Sequence, residues 1–372
     1  MKIAVDCRAL RKTPSGIPNF LIMAINQIAL TYPDWEITLL SNEKFYEDYK
    51  NKLLVSKNIE ILISPFFIFK NVSFIWLLLK AGTVINRVKP DIYWAPAFLL
   101  PPFLPPNIKT LVTVHDVVAK EYPGTMSFAG KMYARLLQDS SINKADKLWA
   151  NSAYTAEAIK KYFPARKSKQ IFTGFFINTG IFKRIYISEN RKKDLQQKFK
   201  LTESFFIFVG TLEPRKNLIF LISLLPYLKH LKHKLIVVGA KGWGQTNIQN
   251  ILSQKDYPID NIEFPGFVET DDLVHLYNLA TLYISTSLNE GFGMPQLEAM
   301  ACGCPVVSPH NSAMIEVVEG AGETVATWEF TDWVKAIEKV LNNRNDYVQK
   351  GYKRVEQYEA STVIKNLFQD FV

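Results

Sequence analysis

Short unbroken apolar runs alternate along this chain with stretches in which apolar residues recur every three or four positions. Runs near 2–6, 35–40, 59–63, 91–94, 110–115 and 146–150 predict strands in the first half, and runs of this kind mark strands buried on both faces. The periodic stretches 17–31, 127–141 and 153–162 predict helices between them. The second half repeats the alternation, with strands near 205–209, 234–238, 261–264, 282–286 and 305–308 and helices near 216–229, 271–280 and 295–302. Strands alternating with helices imply parallel, doubly wound sheets, so the two series predict two Rossmann-like α/β domains. The break falls near 174–200, where a turn-rich segment precedes the densely charged stretch 189–200. The domains are therefore placed at 1–185 and 200–354. A last helix over 355–372 carries the apolar Val363, Ile364, Leu367 and Phe368.

Composition supports a folded chain of about two domains, since 48% of its 372 residues are hydrophobic and 21% charged. Cys7, Cys302 and Cys304 form no CxxC pattern and lie among apolar residues, which argues against a disulfide framework or a zinc site and points to a reducing cytoplasm. Asp6, Arg8 and Arg11 follow the first apolar residues too soon for a secretory signal. The most apolar region, 61–85, is cut by Lys70 and Lys80, so no segment reaches the roughly twenty apolar residues of a membrane span.

Charge is unevenly placed. Residues 1–180 hold 23 Lys+Arg against 13 Asp+Glu, whereas 181–372 hold 21 against 22, so the net +9 lies wholly in the first half. Such asymmetry suggests an anionic partner for that half, either nucleic acid, an anionic membrane surface or an acidic substrate, with an ordinary basic surface as the competing reading. No RNA-recognition motif is present, so a basic RNA-binding protein is the weaker alternative and nucleic acid is not expected as a partner. Within 61–80, Phe66, Phe67, Phe69, Trp76 and Leu77 with Lys70 and Lys80 fit a membrane interface; a strand and a buried helix are the competing reading.

In doubly wound sheets ligands lie beyond the carboxyl ends of the strands, so the strand-to-helix loops carry the candidate chemistry. The sharpest string runs from Ser287 to Gly303. Gly291 and Gly293 let backbone approach a ligand, Pro295 suits a first helical turn, and free N–H groups at a helix start bind phosphate. Glu290 in the loop and Glu298 one turn inside the helix suit the hydroxyls of a polyhydroxylated, phosphate-bearing ligand. In 208–217, Gly210 and Thr211 precede Arg215 and Lys216, adjacent cations read as lying at a helix start. Cations are unfavourable there, and a diphosphate would repair the mismatch. His115 ends a strand of the first domain, with Asp116 beside it to orient it. Gly16 opens a long helix and lets its start approach a phosphate, although the loop is not a full GxGxxG.

These strings resemble the retaining GT-B glycosyltransferases of family 4, and among them bacterial mannosyltransferase-like enzymes of surface polysaccharide assembly. The resemblance rests on 5–8 with Gly16, 114–116, 209–217, 238–243, the glutamates Glu290 and Glu298 with seven residues between them, and 305–307. It implies two Rossmann-like domains facing across a cleft, with the last helix returning to the first. It further implies that Arg215 and Lys216 hold the diphosphate, while Gly291, Phe292 and Gly293 offer backbone N–H groups. Glu290 would bind the donor sugar, Glu298 the ribose, and His115 the sugar near its reacting carbon. The activity implied is metal-independent, retaining hexosyl transfer from a nucleotide sugar, GDP-mannose favoured, to a saccharide acceptor that is lipid-linked. No cofactor is implied beyond the donor itself. The expected location is the cytoplasm, peripheral on the inner face of the membrane. Pro18 and Asn19 stand where related chains carry glycine and arginine, and Thr211 where many carry arginine. The rival on the same fold, a nucleotide-sugar epimerase, fits the glutamate pair less well.

Overall fold

Among the described residues of a computed structural model, 1–11, 16–65, 73–121, 137–168, 171–240, 242, 246–253 and 259–371, thirteen strands form two wholly parallel sheets. The first sheet contains β1 (Lys2–Asp6), β2 (Glu36–Ser41), β3 (Ile59–Ile63), β4 (Ile92–Ala95), β5 (Lys109–Val114), β6 (Lys147–Ala150) and β7 (Ile171–Thr173) in the order 3-2-1-4-5-6-7. The second contains β8 (Phe205–Val209), β9 (Lys234–Val238), β10 (Ile262–Gly266), β11 (Leu282–Ile284), β12 (Val306–Pro309) and β13 (Glu323–Val325) in the order 10-9-8-11-12-13. Each sheet runs outward from its first strand in both directions. The order therefore reverses between β1 and β4 in one sheet and between β8 and β11 in the other. Those are the points where loops from adjacent strands diverge and leave a crevice for a ligand.

By contacts the chain divides into one unit of Met1–Phe175 with Ala360–Val372 and a second of Phe176–Glu359. In the first unit, Val112, Val114, Tyr93 and Leu148 of the sheet pack with Trp76, Val84, Ile85, Ile142 and Ile159 of the covering helices. The helix Ala360–Phe368 belongs to this unit, where Phe368 meets the Trp35 ring edge-on at 5.1 Å. In the second unit, Phe206, Phe208, Val237 and Ile284 pack with Leu221, Leu225, Trp333 and Ile337. Four of the largest buried side chains are tryptophans, and each indole N–H is satisfied. Trp76 donates to the Ser64 carbonyl at 2.7 Å, Trp94 to Thr113 Oγ1 at 2.8 Å, Trp149 to the Gly174 carbonyl at 2.7 Å and Trp333 to the Thr327 carbonyl at 2.9 Å.

Several expectations are corrected. Trp76 and Leu77 are each 1% exposed and lie in the first core, so they are not available to a membrane interface. Phe66, Phe67, Phe69 and Lys70 lie outside the described residues, as does most of the stretch 127–141. The units divide between Phe175 and Phe176, and the charged stretch after 188 forms the helix Glu189–Phe199, capped by Ser188, whose Oγ accepts from the Arg191 N–H at 3.3 Å. The helix expected over 216–229 is three pieces. A 3-10 turn covers Pro214–Lys216, an α-helix Leu218–Leu224 and a further 3-10 segment Leu225–Leu231, where Pro226 has no N–H to continue the α-helical ladder. Among the described residues no helix is long and apolar enough to cross a membrane.

Candidate functional site

The loops that follow β8 and β11 flank the crevice of the second sheet. They hold nearly every residue the sequence singled out in this half. The β8 loop is built by close backbone approach. A Cβ on Gly239 would sit 1.9 Å from the Gly210 carbonyl oxygen, and one on Gly242 would sit 2.3 Å from that of Leu212. The loop after β9 therefore lies directly on the loop after β8, and Leu212 N–H donates to the Ala240 carbonyl at 3.1 Å. Past Glu213 the chain makes the Pro214–Lys216 turn and reverses at Asn217, whose φ is +49°. Arg215 and Lys216 thus precede the helix rather than sit on its first turn.

From this turn both cations reach the β11 loop. Arg215 Nη1 donates to Glu290 Oε2 at 2.9 Å and to the Asn289 carbonyl at 2.6 Å. Its Nη2 donates to Glu213 Oε1 at 2.8 Å. Lys216 Nζ pairs with Glu290 Oε1, which also accepts from Ser287 Oγ at 2.7 Å. The Lys216 and Glu290 side chains are each only 11% exposed. Burial pushes the Glu290 carboxyl up. Lys216 and Arg215, with hydrogen bonds from Lys216 and Ser287, outweigh it and hold the carboxyl down at about 2. The cations expected to await a ligand are therefore neutralised by the protein's own carboxylates, Glu213 and Glu290. Glu290 is fixed from behind as well, because its N–H donates to Ser312 Oγ at 3.0 Å.

Beyond Glu290, Gly293 caps the helix Met294–Ala301 with φ +104°, a conformation only glycine adopts without strain. The Phe292 side chain is buried against Tyr358, ring centroids 5.4 Å apart, so the contribution left to this residue is its backbone. Glu298 is partly buried, and its Oε2 accepts from Tyr277 Oη at 3.2 Å. Burial pushes its carboxyl up to about 7, against the smaller opposing pull of that hydrogen bond. The two carboxyls are thus shifted in opposite directions, Glu290 held ionised by its cations and Glu298 pushed toward its protonated form by burial.

In the first unit His115 follows β5. Its Nε2 meets the Pro96 carbonyl at 2.7 Å, and its ring packs edge-on against Phe20 and Phe98 at 5.2 and 5.6 Å. A carbonyl only accepts, so Nε2 carries the proton, and Nδ1 is the ring's acceptor. Burial lowers the imidazole pKa, which keeps the ring neutral. The partner that fixes Nε2 is thus Pro96 on the loop after β4, where Asp116 was expected to orient the ring. Gly16 is exposed at the start of the helix Gly16–Thr31, with open space where a Cβ would stand. Thr13, Pro14 and Ser15, which precede it, lie outside the described residues, as does Trp243. Sequence reasoning passed over Ser287, Glu213, Ser312 and Tyr277. The first two lie inside the candidate strings but were given no role, and the other two come from other elements with no local signal.

Residues 189–357 match the sequence model of the family described as Glycosyl transferases group 1. This stretch is similar to a group 1 glycosyl transferase domain. The match takes in β8 to β13 and all of the Arg215–Glu290–Glu298 site. Beyond the group 1 domain, the chain is 30% identical over 250 residues to an O-antigen chain mannosyltransferase B of Escherichia coli, covering 65% of this chain and 63% of that one. It is 26% identical over 245 residues to the O-antigen chain mannosyltransferase RfbU of Salmonella typhimurium, covering 64% of each. The chain thus spans less than two thirds of the length of these relatives. The fold matches a sucrose-phosphate synthase from Thermosynechococcus elongatus with a TM-score of 0.75 at 15% identity, over 100% of this chain and 98% of that one. The group 1 domain and the unit before it together have the GT-B fold.

Proposed function

We propose that the protein is a retaining glycosyltransferase of bacterial surface polysaccharide synthesis. It moves a hexose, mannose or a related sugar, from a nucleoside-diphosphate sugar to a saccharide acceptor that is lipid-linked. The observation that carries this reading is the convergence, where the second sheet reverses its order, of two cations, a loop carboxylate and a glycine-capped helix start. That set suits a diphosphate bonded to a polyol. The names of the mannosyltransferase relatives support mannose as the sugar, and the donor proposed is GDP-mannose.

In this reading Arg215, Lys216 and the backbone N–H groups of Gly291, Phe292 and Gly293 hold the diphosphate. They stabilise the charge that builds on it as the glycosidic bond breaks through an oxocarbenium-like transition state. No metal ion is needed for that task. Glu290, kept ionised, accepts hydrogen bonds from the donor sugar. Glu298 accepts from the ribose hydroxyls. His115 meets the sugar through Nδ1, and Gly16 approaches the donor by its backbone. The leaving phosphate takes the acceptor proton on the face from which it departs, so Glu290 need not be a covalent nucleophile. The basic excess of residues 1–180 supports contact with an anionic membrane surface, without help from Trp76 or Leu77.

The experiment is a transfer assay with purified protein, GDP-mannose and lipid-diphosphate-linked oligosaccharides, the product read by mass and its anomeric configuration by NMR. A mannosylated product with the configuration of the donor is the expected result. An inverted product, or epimerised nucleotide sugar without transfer, would overturn the reading.

A further inference from the structure

Resting on the reading that Arg215 and Lys216 hold the diphosphate, we propose that Glu290 also distinguishes the intact sugar nucleotide from its nucleoside diphosphate product. It does so by returning to the two cations, and displacing the product, once the sugar has left. Both cations are already engaged by this carboxylate, Arg215 at 2.9 Å on Oε2 and Lys216 on Oε1. A diphosphate can take those N–H donors only by moving Glu290 aside or sharing them with it. The cluster is also balanced in charge. Arg215 and Lys216 face Glu213 and Glu290, so an incoming diphosphate adds negative charge where none is lacking.

What decides the outcome is the partner Glu290 finds after displacement. With a sugar attached, its hydroxyls donate to the carboxylate. With the sugar gone, a carboxylate only 11% exposed is left without its cations, and a buried, unpaired charge is strongly unfavourable. The preference of Glu290 for its ionised form beside these cations has the same direction. Its backbone is pinned by Ser312, and Ser287 holds Oε1 at 2.7 Å, so the return path is short and prepared. The same residue therefore favours the substrate through the sugar and disfavours the product through the cations.

The test is calorimetric titration of GDP, UDP and dTDP into the wild type and into Glu290→Gln, Ser287→Ala, Arg215→Ala and Lys216→Ala, each in the full chain. Glu290→Gln is expected to bind the preferred nucleoside diphosphate about tenfold more tightly than the wild type, because the competing anion is gone while the cations remain. Ser287→Ala, which only loosens the carboxylate, should tighten it by about two- to threefold, and it provides the answer should Glu290→Gln fail to fold. Weakening in Arg215→Ala and Lys216→Ala together with unchanged or weaker binding in Glu290→Gln and Ser287→Ala would overturn the inference and leave the diphosphate cradle standing. No weakening in either cation variant would overturn the cradle itself.

Discussion

Glu298→Gln separates the stability of the group 1 domain from its proposed ligand binding. The carboxyl sits partly buried and accepts from Tyr277 Oη at 3.2 Å, and burial lifts it from the ordinary 4.5 to about 7. Each tenfold change in proton affinity is about 1.4 kcal/mol, so ionising Glu298 in the folded state costs on the order of 3 kcal/mol, reduced toward 2 by partial exposure to solvent. The folded state holds this proton more tightly than the unfolded chain. Stability from this group is therefore present in full below pH 4.5, is lost as pH rises toward 7, and changes no further above it. Glutamine keeps the shape and carries no charge. In urea titrations at pH 8 the variant should be more stable than the wild type by about 1–3 kcal/mol, and the gap should close by pH 4.5. Ribose hydroxyls donating to Glu298 favour its ionised form. Nucleotide affinity of the wild type should therefore rise on the order of tenfold from pH 5.5 to 7.5 and then level off, while the variant binds more weakly with a flat profile. A variant less stable at pH 8, or a wild-type affinity that falls toward pH 7.5, would refute the reasoning.

Three further outcomes follow from the same geometry. Arg215→Ala and Lys216→Ala should each weaken nucleoside diphosphate binding by roughly 1.5–3 kcal/mol, the range for a lost charge-assisted hydrogen bond, measured by calorimetry. Gly293→Ala must hold alanine at φ +104° with its Cβ 3.2 Å from Gln296 Oε1, so urea unfolding should show a loss of about 1–3 kcal/mol. Trp76→Ala should cost about 3–5 kcal/mol as a buried large-to-small change; a loss under 1 kcal/mol in the same assay would return Trp76 to the surface.

The strands were legible wherever four or more apolar residues run together, as in Phe205–Val209, because a sheet covered on both faces needs little else. The edge strands Ile171–Thr173 and Glu323–Val325 were not, since three residues interrupted by polar ones form neither an apolar run nor a period to read. Glu189–Phe199 buries only Leu195 and Phe199, so its helical stripe is hidden among charges. At the site, the positions of Arg215, Lys216, Glu290 and Glu298 could be read from motif spacing. Their states could not. Sequence showed two cations near a presumed helix start, and the fold places a carboxylate from 75 residues away between them. The opposite titrations of Glu290 and Glu298 depend on what surrounds each, and spacing carries none of that. The ambiguity at 61–80 had the same origin, because an apolar run fits a core and an interface equally until its neighbours are known.

The central claim is that the Arg215–Lys216–Glu290 site takes a nucleoside-diphosphate sugar and transfers its hexose. The most direct measurement is a thermal and urea stability screen of the purified chain across GDP-, UDP- and dTDP-sugars, run beside Arg215→Ala and Lys216→Ala. The account predicts that one nucleotide class, GDP-sugars first, stabilises the wild type by about 2.7 kcal/mol at a hundredfold excess over its dissociation constant, and that the shift is largely lost in both variants. A screen in which no nucleotide sugar shifts the wild type, or in which the variants shift as much as it does, would contradict the claim.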